Sequence, residues 1–310
     1  MNIQDSKQTP GLCQGRVVIV TGAGRGLGRA HALAFAAEGA KVVVNDVGAT
    51  LTGEGHDLTP AAEVVAEITA AGGQAIVNDD DISDWDGAGH LISQTIETFG
   101  HLDTVVCNAG IVRDRMIVNM SVDEWDAVMR VHLRGTFCPV RQAIDYWRSM
   151  SKAGTPIEAR VVTTSSGAGL FGSVSQGNYS AAKAGIAAFT LVAAAELDRY
   201  GIKVNGIAPS ARSRMTEEAF ADMMRKPESG FDAMDPANVS PLVVWLGSSD
   251  CSVSGRMFEI AGGQISVADG WQHGEVFDKG SRLKPAELGG IVRDLIARAP
   301  APAPVYGDSR

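Results

Sequence analysis

Short β-branched runs punctuate this chain, each followed by a longer stretch in which alanine, leucine and charged residues recur at helical spacing. Arg16-Val17-Val18-Ile19-Val20 is the first such run and Lys41-Val42-Val43-Val44-Asn45 the second. Neither alternates polar with apolar, which is the mark of a strand buried on both faces. The same reading predicts strands at 16–20, 41–45, 74–78, 102–107, 159–164, 202–207 and 256–260. Helices are predicted at 27–38, 60–71, 84–99, 121–149, 179–199 and 236–247, with a kink at Pro139 eased by Gly135 one turn earlier. Alternation of strand and helix argues for a single α/β domain, a doubly wound parallel sheet of about seven strands joined by right-handed crossovers. Its expected extent is 15–270, with an arm before it (1–14) and an extension after it (271–310). In that extension Pro285 starts a short helix at 285–298 and an Ala-Pro run follows, with packing or subunit contact as the expected role. The Gly- and Thr-rich loop 47–59 is long for a βα connection; it reads as a flap over the adenosine end or as a mobile loop, and the second is favoured.

The first strand runs into Thr21-Gly22-Ala23-Gly24-Arg25-Gly26-Leu27-Gly28. A glycine-rich turn between strand and helix lets backbone approach a pyrophosphate, and the helix N-terminus offers free N–H groups and positive dipole to it. Tight turns also need glycine for purely steric reasons, so the turn gains meaning only from its context. Asp46 closes the second strand eighteen residues beyond Gly28, near the spacing of an acid that binds the adenosine ribose hydroxyls. A carboxylate there repels a 2′-phosphate, which favours NAD over NADP; Arg25 in the turn is the counter-argument.

Further along, Tyr179 and Lys183 fall one helical turn apart on a common face, and Ser166 precedes Tyr179 by thirteen residues. A phenol with a pKa of about 10 is a poor base at neutral pH. A nearby ammonium favours the phenolate, so the pair can exchange a proton with an alcohol or ketone. From the end of the run Arg160-Val161-Val162-Thr163-Thr164, the Ser166 hydroxyl can hold the same oxygen. A Y-x-x-x-K pair alone also describes a surface aromatic and a solvated lysine.

Taken in order, these stretches resemble the short-chain dehydrogenase/reductase family over roughly residues 12–270. The resemblance implies a Rossmann-type fold, with Gly22, Arg25, Gly26, Leu27 and Gly28 in the cofactor loop and Asp46 at the ribose. It places Asp81 and Ile82 at the adenine, and Asn108, Ala109 and Gly110 at the end of the fourth strand, where Cys107 replaces the usual preceding asparagine. Pro209 opens the loop after the sixth strand, Ser166, Tyr179 and Lys183 are catalytic, and Lys183 and Tyr179 also contact the cofactor. His132, in Arg130-Val131-His132-Leu133-Arg134-Gly135, stands where the family usually has a catalytic asparagine. It marks either a lost relay asparagine or a subfamily, and it reads as a core histidine, a substrate contact or part of a proton relay, its position favouring the last. V-H-L-R-G resembles the (3R)-hydroxyacyl-CoA dehydrogenase part of peroxisomal multifunctional enzymes of type 2. So do Val44–Gly48, Ile111–Arg115, Gln176–Ser180 and Ile207–Thr216. That resemblance implies an NAD-dependent oxidoreductase acting on acyl-CoA or steroid substrates, as a homodimer or homotetramer. A dehydrogenase of free steroids or other secondary alcohols, an NADPH-dependent 3-oxoacyl reductase, and a non-catalytic nucleotide-sensing scaffold are the rivals.

Composition narrows the field. A net charge of −9 gives no electrostatic case for nucleic acid or an anionic membrane. No signal peptide is evident and no run approaches a membrane span, so a cytoplasmic protein is expected. Cys13, Cys107, Cys138 and Cys251 are scattered without ligand spacing, which predicts free thiols and no metal. Met215, Phe220, Met223 and Met224 offer an adaptable apolar surface to an acyl chain or steroid, though their spacing suits an ordinary packed helix equally. Arg212, Arg214, Arg225 and Lys226 are weaker candidates for coenzyme A phosphates.

Overall fold

The computed structural model describes residues 10–213, 222, 224–268 and 270–305. Eight strands form one sheet in the order β3-β2-β1-β4-β5-β6-β7-β8. They are β1 (Val17–Thr21), β2 (Lys41–Asn45), β3 (Gln74–Asn78), β4 (Thr104–Cys107), β5 (Arg160–Thr164), β6 (Lys203–Ser210), β7 (Met257–Ala261) and β8 (Gln264–Ala268). The first seven pair in parallel. β8 adds an antiparallel edge to β7 that the sequence reading did not anticipate. The helices described are α1 (Gly26–Ala37), α2 (Thr59–Ala70), α3 (Trp85–Phe99), α4 (Val122–Met129), α5 (Gly135–Lys152), α6 (Gly167–Phe171), α7 (Gly177–Leu197), α8 (Ser240–Gly247) and α9 (Pro285–Arg298).

Successive strand residues point to opposite faces, and each face has its own core. Val18, Val20, Val42 and Val44 pack with Phe35 of α1, Val64 of α2 and Leu246 of α8. Ile19, Val43, Val105 and Val161 pack with Leu91 of α3, Trp147 of α5 and Leu197 of α7. Chain order reverses direction between β1 and β4, which opens a crevice beyond their C-terminal ends, where doubly wound sheets bind ligands. Leu12 packs on the first of these cores and the buried Cys13 belongs to it, so this end of the expected arm is docked.

Four details depart from the sequence reading. The single helix expected over 121–149 is interrupted by a π turn, Arg130–Arg134, in which the N–H of Gly135 reaches Arg130 O. A hydrogen-bond shift of this kind leaves no trace in apolar spacing, and π bulges concentrate at functional sites. Pro209 lies inside β6, paired with Ile260, rather than opening the loop after it, because β7 continues alongside. Loop 47–59 is tied down: Leu51 O accepts from Val112 N at 3.1 Å and Thr52 O from Arg113 Nε at 3.0 Å. Finally, the segment Gly177–Tyr200 is long and apolar enough to cross a membrane by length and composition. Here it is an alanine-rich core helix with Ala193, Ala194 and Leu197 against the sheet.

The turn after β1 depends on close backbone approach. Gly22 has φ +63°, and a Cβ on Gly28 would lie 2.1 Å from Gly22 O and 2.6 Å from Asn108 Nδ2. Backbone there cannot yield without opening the crevice. Gly28→Ala is therefore expected to cost about 1–3 kcal/mol in urea unfolding, the usual penalty of an overpacked site, and to weaken nucleotide binding in the same protein.

Candidate active site

At the crevice, β1 and β4 are stitched together by Thr21 and Asn108. The Thr21 hydroxyl accepts from the N–H groups of Asn108 (3.0 Å) and Ala109 (3.2 Å), and Asn108 Nδ2 donates to Thr21 O and Gly22 O. These bonds fix the bend of the glycine turn. Arg25, the N-cap of α1, makes no side-chain cap, and the first turn of α1 carries no acidic residue. An uncapped helix N-terminus on a glycine turn suits a diphosphate. Beside it lies a cleft of about 460 Å³ lined by Gly24, Arg25, Gly26, Arg29, Asp57 and Thr59 among others. Asp46 holds the turn from the far side, with Oδ2 accepting from Gly24 N at 2.8 Å and Oδ1 from Gly48 N at 2.7 Å. Arg25 leans toward Asp57, 3.5 Å away, rather than toward Asp46. The residues present thus fit a dinucleotide. Leu27 packs against the core below the turn. Asp81 is bound to Ser83 and Arg130; burial raises its pKa, but those bonds outweigh it and hold the carboxyl below its usual value. Ile82 is buried, and its Cδ1 lies 3.2 Å from where a Cβ on Gly135 would sit.

The candidate proton-transfer group assembles from β5, α6 and α7. Ser166 is the N-cap of α6, its hydroxyl accepting from Ala168 N at 3.2 Å. Tyr179 is half-buried in the first turn of α7, with Lys183 one turn on. Lys183 is 3% exposed, its Nζ donating to Thr164 O at 2.7 Å and lying 5.6 Å from the Tyr179 ring centroid. Burial lowers its pKa to about 7. Cys107, buried beside it, is pushed up to about 12 by burial and stays a neutral thiol.

His132 sits in the π turn, 1% exposed. Its ring stands edge-on to Tyr179, with centroids 5.2 Å apart and planes at 89°. Nε2 lies 2.7 Å from Ile111 O and 3.1 Å from Ile111 N, and Nδ1 is buried with no hydrogen-bond partner among the described residues. Burial pulls its pKa down to about 3, so the imidazole is neutral. Gly110 is where the ring fits: a Cβ there would lie 2.3 Å from His132 Cε1.

Sequence reasoning missed Asn178, which is fully buried and fastens α7 to its surroundings. Its Nδ2 donates to Arg113 O (3.0 Å) and Glu124 O (3.2 Å), while Oδ1 accepts from Tyr179 N (2.7 Å). The signal was available: a buried amide directly beside the tyrosine must satisfy its polar atoms locally. Also missed was an apolar rim of exposed Met116, Ile117, Val118, Phe171 and Val174 on the segments flanking Tyr179. Of the expected substrate residues, Met215, Phe220 and Met223 lie outside the described residues, as does Arg214. Met224 is buried, so it packs rather than presenting a free surface. Arg212 is spent on an ion pair with Asp232 and a bond to Met224 O, and Arg225 pairs with Asp222.

Fold and site together define a short-chain dehydrogenase. Residues 16–224 match the family described as short chain dehydrogenase, and the chain belongs to that family, whose members are oxidoreductases acting on CH–OH groups with nicotinamide cofactors. It is 44% identical over 251 residues to peroxisomal multifunctional enzyme type 2 of Mus musculus, covering 81% of this chain and 32% of that protein. The chain therefore spans about a third of the mouse relative. It is 42% identical over 310 residues to hydroxyacyl-CoA dehydrogenase ChsB1 of Mycobacterium tuberculosis, covering 96% of this chain and 95% of the other. Among solved structures, a short chain dehydrogenase from Mycobacterium avium is 58% identical with a TM-score of 0.86, covering 96% of this chain and 100% of that one.

The depressed Lys183 pKa has a stability consequence. Between its folded value of about 7 and the ordinary lysine value of 10.5 the unfolded chain binds more protons, so this group makes stability rise with pH across that window. Below about pH 7 the full cost of burying the ammonium is present. Lys183→Met should thus stabilise the unliganded protein at pH 6 by on the order of 3–5 kcal/mol, at about 1.4 kcal/mol per unit. The advantage should fade as pH approaches 10, as read by denaturant titrations at several pH values.

Proposed function

We propose that this chain is an NAD-dependent dehydrogenase oxidising a (3R)-hydroxyacyl-CoA to the 3-oxoacyl-CoA. The observation that carries the reading is the buried Lys183 ammonium set behind Tyr179, with Ser166 brought to the same end of the sheet through Thr164 and α6. A bound nicotinamide supplies the hydride acceptor for the carbinol C–H. The chain's own residues manage the oxygen and its proton. Ser166 holds the hydroxyl by hydrogen bonding, and Tyr179 removes its proton as the C–H bond breaks. Lys183 stabilises negative charge on the phenol oxygen, and its exchangeable protons lead away from the site. His132 presses on Tyr179, and its buried Nδ1, left without a hydrogen-bond partner among the described residues, is placed to take part in a proton relay. In the reverse direction Tyr179 gives the proton back to the ketone oxygen.

Three features support the finer choices. Asp46 stands at the turn where a 2′-phosphate would meet a carboxylate, and Arg25 faces Asp57 instead, which favours NAD. The rim of Met116, Ile117, Val118, Phe171 and Val174 suits an acyl or steroid side chain. The thioester is favoured by the names of the mouse and mycobacterial relatives.

Tyr179→Phe should lower turnover by about 10²–10⁴-fold, the usual worth of a general acid–base group, while NAD affinity stays within twofold. NADH formation from (3R)- and (3S)-hydroxyacyl-CoA and a free 17β-hydroxysteroid is the direct test. Turnover of the 3R thioester alone is expected; turnover of the steroid alone would overturn the thioester assignment. Substantial residual activity in Tyr179→Phe would overturn the mechanism.

A further inference from the structure

The C-terminal extension leaves the sheet after β8 and carries α9, yet no residue of that helix is buried. Surface ion pairs hold it, Lys279 to Glu287 at 2.6 Å and Arg298 to Glu275 at 2.8 Å. Ala299–Pro304, three Ala-Pro repeats, is exposed throughout. Such a run favours the extended polyproline geometry, about 3.1 Å per residue, and acts as a stiff spacer. At its end the environment changes: Val305 is half-buried. Its carbonyl oxygen lies 3.4 Å, and its Cγ1 3.7 Å, from the position a Cβ on Gly167 would occupy. Gly167 follows Ser166 and opens α6. An arm otherwise exposed apart from half-buried Ile291 and Leu295 thus meets Gly167, beside the residue assigned to hold the substrate oxygen.

We infer that Val305 is a specificity-determining residue, delivered by the Ala-Pro spacer to form one wall of the substrate site at the shoulder of Ser166. The inference rests on the dehydrogenase reading above. Gly167 has no side chain to build that wall, and its backbone is outside the left-handed region. The nearby Phe171 and Val174 are apolar and exposed, so a valine completes an apolar lining rather than interrupting a polar one. An acyl chain passing this point would be shielded by Val305 and limited in girth by it.

Two measurements test this separately from the dehydrogenase assignment. The first asks whether the contact exists. In a Gly167→Cys/Val305→Cys double variant, mild oxidation should yield a disulfide within one chain, read by peptide mass under non-reducing conditions. All four native cysteines are buried and compete little. No disulfide, or one that joins two chains, would overturn the placement.

The second asks what the contact does. A chain ending at Ala299 should show KM for a medium-chain (3R)-hydroxyacyl-CoA raised about three- to tenfold, the scale of one valine's apolar contact, with NAD affinity within twofold. Val305→Trp in the full chain should lower kcat/KM for long acyl chains more than for short ones. Unchanged KM and unchanged chain-length preference in both variants would overturn the inference while leaving the enzyme reading intact. If even the unaltered chain turns over no 3R thioester, the proposed function fails and takes this specificity role with it, whatever the disulfide shows.

Discussion

The buried Lys183 is the contact around which Ser166 and Tyr179 are arranged. Its Nζ bonds Thr164 O, its own carbonyl accepts from the Ser165 hydroxyl at 2.8 Å, and the next residue, Ser166, caps α6. Three successive residues at the end of β5 are thus placed relative to one residue of α7. The helix α6 is pressed close on the same lysine, because a Cβ on Gly169 would lie 2.5 Å from Lys183 Cβ. Ser166 and Tyr179 come from different elements, and Lys183 links them. Burying an ammonium is costly unless it is hydrogen-bonded, and the lowered pKa of Lys183 registers that cost. A protein shaped for stability alone would place a methionine there. The strain is tolerated because the packing of α6 and α7 over-determines the position.

A second chain of contacts joins the dinucleotide turn to the tyrosine. Thr21 at the end of β1 holds Asn108 and Ala109; Gly110, next in sequence, receives the His132 ring; and that ring meets Tyr179 edge-on. The π turn gives His132 this placement by shifting the ladder bond of Gly135 to Arg130 O. From the other side Asn178 pins the start of α7 to Arg113 and Glu124. Tyr179 is consequently located by contacts on both sides, and the glycine turn is mechanically continuous with the start of α7.

The parallel strands and most helices were legible because strands buried on both faces produce continuous Val/Ile runs, and the helices between them have a clear periodicity. The glycine turn was legible because close backbone approach demands glycine, and Ser166, Tyr179 and Lys183, singled out by residue type and spacing, do come to one end of the sheet. What the sequence hid was non-local. Arg212 looked available for a phosphate until Asp232, twenty residues later, folded against it. Met224 read equally as substrate surface or packed helix, and it is buried. Loop 47–59 looked unattached, and its partners are Val112 and Arg113 on the far side of β4. β8 did leave a signal, since Gly262-Gly263 before the alternating Gln264-Ile265-Ser266-Val267 marks a hairpin to an edge strand.

The two titratable neighbours of Tyr179 divide the chemistry between them. His132 is held neutral by burial, with a pKa of about 3, and Lys183, by the same cause, has one of about 7. The imidazole therefore gains no charge near neutral pH. What it can contribute is a fixed edge against the phenol and one ring nitrogen, Nδ1, left without a hydrogen-bond partner among the described residues. Only the lysine changes charge in the range where such an enzyme works. A substitution at His132 should accordingly alter how fast protons leave Tyr179 without adding or removing a titration near neutrality, whereas loss of Lys183 removes the charge itself. Desolvation acts on both bases alike; their different starting affinities for a proton leave one silent and the other poised.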